Sequence, residues 1–168
     1  MEIIPGVGLP VAQVGQTIDE IETLVGPATR ADGHRAFWEQ HSPPFAVYFD
    51  GRGESEIVEV SCSDGDTQQV TLDGIPLILR LMDDVEADLA RHGLVGRRFD
   101  LVVDFDSGFT LWSLDEISAP APTPTTADDP ADRRLVVEGV AVHRPPSTTD
   151  ASHDAKTYAG LDPGDGAP

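Results

Sequence analysis

The stretch Thr17 to Pro27, TIDEIETLVGP, constrains the fold more than any other part of the chain. Thr17 followed by Glu20 is a capping-box pattern, in which each side chain satisfies the other residue's backbone N–H. Ile18, Ile21 and Val25, with Leu24 beside them, make one apolar stripe at helical spacing. Gly26 supplies a left-handed stop, and Pro27 prevents continuation. Asp19, Glu20 and Glu22 lie in the first turns, where the helix dipole favours acids. A short helix from Ile18 to Val25 is predicted, and it needs a sheet to lie on.

The flanking sequence supplies strands. RAFWEQ reads as a short strand, and FAVYFDGRGESEIVEVSC reads as a hairpin: Phe45, Val47 and Phe49 alternate, DGRG turns, and Ile57, Val58 and Val60 return. LRLMDDVEADLARHG is a second helix, with Met82, Val85 and Leu89 on one face and Gly93 as its stop. FDLVVDFDSGFTLWSLDEI is a second hairpin, and RLVVEGVAVHR a further strand.

The two halves resemble each other. At an offset of 64, Ile18/Met82, Asp19/Asp83, Ile21/Val85, Glu22/Glu86 and Val25/Leu89 correspond; at an offset of 56, VYFDG corresponds to VDFDS, which sets Tyr48 against Asp104. Each half runs extended segment, helix, hairpin. A lone hairpin with one short helix is marginal, but two copies side by side make one larger sheet. The predicted fold class is α+β: two tandem helix–hairpin repeats forming an antiparallel sheet covered on one face by short helices. Residues 1–144 form a single domain of two repeats, about 1–66 and 67–144. A disordered Pro/Thr-rich loop at 118–133 and a disordered tail at 145–168 are expected from composition.

The segment VAQVGQTIDEIETLVGP is similar to the helix that opens the SmpA/OmlA-type small lipoproteins of outer-membrane assembly. The same unit occurs, duplicated, in the β-lactamase-inhibitor-protein fold. The resemblance is strongest over Gly6 to Pro27, moderate through Cys62, and architectural beyond. It implies a helix–hairpin repeat fold and a tendency toward protein binding. MEIIPGVG reads as neither a lipoprotein nor a secretion signal, so none is expected, and Leu81 stands where Thr17 does in the first helix; both depart from the pattern.

Charge narrows the partners. Thirty acids against eleven bases give a net charge of -19, and the four Asp and one Lys of 145–168 account for only -3 of it. Such a surface opposes nucleic acid and anionic membrane and suits a basic protein partner, as an immunity or inhibitor protein would meet. No stretch is apolar enough to span a membrane, and MEIIPGVG does not resemble a signal peptide, so a cytoplasmic protein is expected. Cys62 is the only cysteine and reads as a structural thiol at a strand end.

Motifs for chemistry are weak. GVGLPVAQVG lacks the third glycine of a dinucleotide loop, Val11 standing in its place. Asp64 and Asp66 in SCSDGDTQ fit a polar turn better than a calcium loop. Asp104 and Asp106 share a strand face that reads as solvated, and no Ser/His/Asp arrangement stands out. In GHRAFWEQH, Glu39 and His41 would share a face if extended, and one of Phe37 and Trp38 would point outward. The expected function is a non-enzymatic, acidic protein-binding module using the open sheet face and loops. Trp38, Tyr48, Trp112, Glu39 and Asp104 are its expected partner contacts, with no catalytic residue, metal or cofactor. The competing expectation is a small metal-dependent hydrolase built on Glu39, His41 and Asp104.

Overall fold

Thr17 and Glu20 close the capping box as their spacing requires. In the computed structural model, which describes residues 1–62, 69–114 and 135–146, the Glu20 carboxylate accepts the Thr17 N–H at 2.8 Å and Thr17 Oγ1 accepts the Glu20 N–H at 3.4 Å. Helix α1 spans Ile18–Val25 and ends at Gly26, whose φ of 90° is open to glycine but strained for other residues. Ile21 is fully buried, while Leu24 is exposed. Helix α2 spans Met82–Arg91 and buries Met82, Val85 and Leu89, the three residues expected to form its apolar face. Leu81 makes no side-chain cap; instead the Met82 N–H donates to the Leu135 carbonyl at 2.8 Å.

Each helix follows a minimal hairpin. Strands β1 (Gly8–Leu9) and β2 (Ala12–Gln13) precede α1, and β7 (Thr71–Leu72) and β8 (Ile75–Pro76) precede α2. After α1 come β3 (Arg30–Ala31), β4 (Arg35–Trp38), β5 (Phe45–Phe49) and β6 (Ser55–Ser61). After α2 come β9 (Gly96–Phe99), β10 (Val102–Phe105), β11 (Phe109–Trp112) and β12 (Gly139–His143). These eight strands form one antiparallel sheet in the order β3-β4-β5-β6-β12-β11-β10-β9. The fold is α+β, with an open sheet and short helices rather than a closed barrel. No described residue pairs with the outer sides of β3 and β9, which are short and carry arginines, as edges commonly are.

Two expectations need correction. A hairpin was expected after α2, but β9 adds a strand ahead of it. GRRF lacks apolar alternation because an edge strand need not bury both faces. The offset of 56 equates β5, third after its helix, with β10, second after its own, so Tyr48 and Asp104 do not hold equivalent places in the sheet. The correspondence at 64 does agree with the element order.

Register defines the two faces. Trp38, Phe45, Val60, Val140, Leu111 and Val103 form one continuous cross-strand row, and Ala36, Val47, Val58, Val142, Phe109 and Phe105 form the next. All are buried, and they join Ile21, Met82, Val85 and Leu89 in one core. Both helices lie on this face. Trp38 Nε1 donates to the Gly26 carbonyl at the end of α1 at 3.0 Å, and Arg98 on β9 bonds Asp83 and Glu86 of α2 at 2.6 and 3.0 Å. Two stacked aromatic pairs occupy corresponding places: Trp38–Phe45 between β4 and β5, and Phe105–Phe109 between β10 and β11. Asp64, Asp66, the 118–133 loop and the tail from 147 onward lie outside the described residues.

Candidate functional site

Alternation along a strand sends every second side chain to the face opposite the helices. There the central row runs Arg30, Phe37, Ala46, Glu59, Ala141, Thr110, Asp104, Arg97. On one side of it lie Arg35, Tyr48, Ile57 and His143. On the other lie Ser61, Gly139, Trp112, Val102 and Phe99. Phe37, Tyr48, Ile57, Val102 and Trp112 are partly exposed, and Phe99 is exposed. Among the described residues neither helix crosses this face.

The expected contacts fare differently. Trp38 is fully buried against Phe45, so it is core and offers nothing to a partner. The residue that points outward is Phe37, flanked by the guanidinium groups of Arg30 at 4.2 Å and Arg35 at 5.6 Å. Tyr48 and Trp112 do lie on the open face. The Trp112 ring rests on Gly139, where an added Cβ would come within 2.0 Å of the ring. Its indole N–H is buried and has no acceptor among the described residues. Glu39 follows the end of β4 and pairs with Arg30 at 2.9 Å on the sheet margin.

The hydrolase constellation does not assemble. His41 turns to the Val25 carbonyl at 3.2 Å and the Phe45 ring. Glu39 faces Arg30 instead. Asp104 is on β10, five strand steps from β4, or about 24 Å at the usual strand spacing. Among the described residues no three His, Cys, Asp or Glu side chains are grouped to hold a metal ion.

Asp104 is also not the solvated carboxylate that its sequence context suggested. Thr110 Oγ1 donates to Asp104 Oδ1 at 3.1 Å and lies 3.1 Å from His143 Nε2, which is itself 3.4 Å from Asp104 Oδ1. His143 Nδ1 donates to the Arg144 carbonyl at 2.9 Å. The His143 contact holds the Asp104 carboxyl below its ordinary range, and burial only partly opposes this. Burial pulls the His143 imidazole down, but the bonds to Asp104 and the Arg144 carbonyl outweigh it and leave it raised. This is not a hydroxyl–imidazole–carboxylate relay, because hydroxyl and carboxylate meet the same nitrogen and each other. The arrangement ties β10, β11 and β12 together. Only the pairing of three strands brings these residues together, so a linear pattern could not find them.

The sequence also passed over Glu59. It lies at the centre of the open face, with Ala46 on one neighbouring strand and Ala141 on the other. Burial pushes its carboxyl up to about 7, and no hydrogen bond or ion pair among the described residues offsets that. The parity of VEV was the available signal: Glu59 stands between the buried Val58 and Val60 and so points to the opposite face, in the middle of the sheet. Cys62 is buried, with Sγ 3.2 Å from the Glu138 carbonyl.

Comparison with protein-family models, curated proteins and solved structures finds no match.

Proposed function

We propose that this chain is a non-enzymatic binding module that engages a basic protein through the sheet face opposite its helices. The observation that carries the reading is that face itself: partly exposed Phe37, Tyr48, Ile57, Val102 and Trp112 surround a polar centre. Aromatic side chains such as Tyr and Trp are the usual anchors of an interface hot spot. Charge supports the kind of partner. Arg30, Arg35, Arg80, Arg91, Arg97, Arg98 and Arg144 are already paired with acids, so the excess behind the net charge of -19 is left to act on a partner. Such a field speeds association and weakens with salt. An immunity- or inhibitor-like role is the version we favour.

The architecture behind this reading is a duplicated unit of small hairpin, helix and four strands, joined where β6 meets β12. The repeated element order and the two stacked aromatic pairs support it. A cytoplasmic site of action belongs to the same proposal; no helix among the described residues is long and apolar enough to cross a membrane.

The test is capture of a partner from the source organism at low and high salt, with matched variants. A basic protein retained by wild type and by Leu24→Asp on α1, but lost by Ile57→Asp, supports the face. Equal retention by Ile57→Asp and wild type would remove the open face from the proposal.

A further inference from the structure

We infer that Glu59 is the receptor for an arginine side chain of the partner. This rests on the open face being the binding surface. Three observations lead to it. First, Glu59 sits at the middle of the sheet between Ala46 and Ala141, both buried, so its carboxyl occupies a depression left by short neighbours. Second, higher ground bounds the depression on both sides. Tyr48, Ile57 and His143 form one row, and Trp112 laid over Gly139 stands in the other. Third, Glu59 has no hydrogen bond or ion pair among the described residues, whereas Glu54, Glu86, Asp88 and Asp104 all have basic partners.

A partly buried, uncompensated carboxyl costs stability in the free protein, and burial holds its proton on to about pH 7. An incoming cation reverses that cost. Arginine fits better than lysine for two reasons. Its planar fork can bond both carboxylate oxygens at once, and its flat faces can stack on the Tyr48 and Trp112 rings. The same face already shows this stacking, with Arg30 and Arg35 against Phe37. Tyr48 on β5 and His143 on β12 are the titratable groups nearest Glu59 in the register. The burial that raises the Tyr48 hydroxyl is reinforced by the Glu59 charge, so the two share one environment. The net charge of -19 favours a cationic chain as partner, and Glu59 gives it a place to end.

The experiment uses the full chain with ¹³C-labelled glutamate at low salt. The Glu59 carboxyl signal is assigned by its loss in Glu59→Gln, and the probes are acetyl-Gly-Arg-Gly-amide, its lysine analogue and its neutral citrulline counterpart. The arginine peptide is expected to lower the Glu59 midpoint by about one pH unit, a tenfold preference for the ionised form. The citrulline peptide should leave it in place. Glu59→Gln should abolish saturable shifts of Tyr48 and Ile57, while Glu56→Gln, an equal charge change at an exposed site of β6, should keep them. An unmoved Glu59 midpoint, equal weakening by Glu56→Gln, or equal binding of a lysine peptide would each overturn the arginine assignment. A captured protein partner that is lost with Ile57→Asp but indifferent to Glu59→Gln would overturn it too, while leaving the open-face reading standing.

Discussion

The two halves of the sheet are built on the same order of elements but hold their helices in different ways. Helix α1 carries its own caps: the Thr17–Glu20 box closes one end, Gly26 the other, and only Ile21 is fully buried. Helix α2 has no side-chain cap. It buries three residues, and its first turn is held by strand-like contacts with 135–137, where Met82 N–H meets Leu135, Leu79 N–H meets Val137 and Val137 N–H meets Arg80. The approach to α1 is paired in the same way, Gly15 N–H with Ser55 and Ser55 N–H with Gln16, so the difference lies in the cap itself: a side chain three residues away closes α1, and the Leu135 carbonyl, more than forty residues later, takes that place at α2. The lesson is that a cap can be dispensed with when a non-local segment supplies the missing hydrogen-bond partners.

The comparison can be broken most sharply at the aromatic pairs. Trp38→Ala and Phe105→Ala should each cost about 3–5 kcal/mol, since both residues are fully buried. Urea denaturation should still show one transition in each. If one variant shows two transitions, the halves unfold separately and the seam between β6 and β12 does not unite them. Next in size, Leu89→Ala should cost about 2–5 kcal/mol, and Val25→Ala at the corresponding place should cost clearly less, because Val25 is only partly buried. Equal losses would mean that the two helices depend on packing to the same degree.

The halves differ most at the seam itself, where Glu59 on β6 faces Ala141 on β12. The folded carboxyl titrates at about 7 against an ordinary 4.5, so the folded state keeps its proton longer than the unfolded chain. The Glu59 contribution to stability is then full below pH 4.5 and declines as pH rises toward 7. The loss should be about 2–3 kcal/mol, and Glu59→Gln should remove it. A smaller decline should persist in that variant. The His143 midpoint is also raised, so its contribution is lost as pH rises through that value. Thermal melts from pH 4.5 upward, continued well above pH 6.5 for His143, check both, and a wild type independent of pH between 4.5 and 7 would contradict the account of Glu59.

The smallest effect belongs to the cap. Thr17→Ala should cost about 1 kcal/mol, measured by the urea midpoint. Leu81→Ala should leave helix capping untouched, because Leu81 makes no such bond. A Thr17→Ala cost well under that would show that tertiary contacts, not the box, hold α1.

Much of the fold was legible because its signals are local. Capping residues, helical stripes and turn glycines act over three or four positions, so Thr17, Glu20, Gly26, Met82, Val85 and Leu89 could be assigned from their neighbours alone. Strand alternation placed one of Phe37 and Trp38 on each face, but not which. Trp38 goes inward because there it stacks on Phe45 and bonds the Gly26 carbonyl at the end of α1, neither of which strand parity shows. The same limit hid the site. Glu59 is a plain outward glutamate until β5 and β12 set alanines on both sides of it, and Asp104 looks solvated until Thr110 and His143 reach it from two other strands.

By itself, then, the sequence determined the two helices, where they stop, the main strands, and an acidity carried mostly by residues 1–144. Tertiary structure alone decided that β12 enters the middle of the sheet beside β6, that GRRF is an edge strand, and which of the described carboxylates are paired. The reason is range. Local hydrogen bonds and periodic burial are written within a few residues, but strand order and the environment of a carboxyl depend on partners that the chain brings together only when it folds.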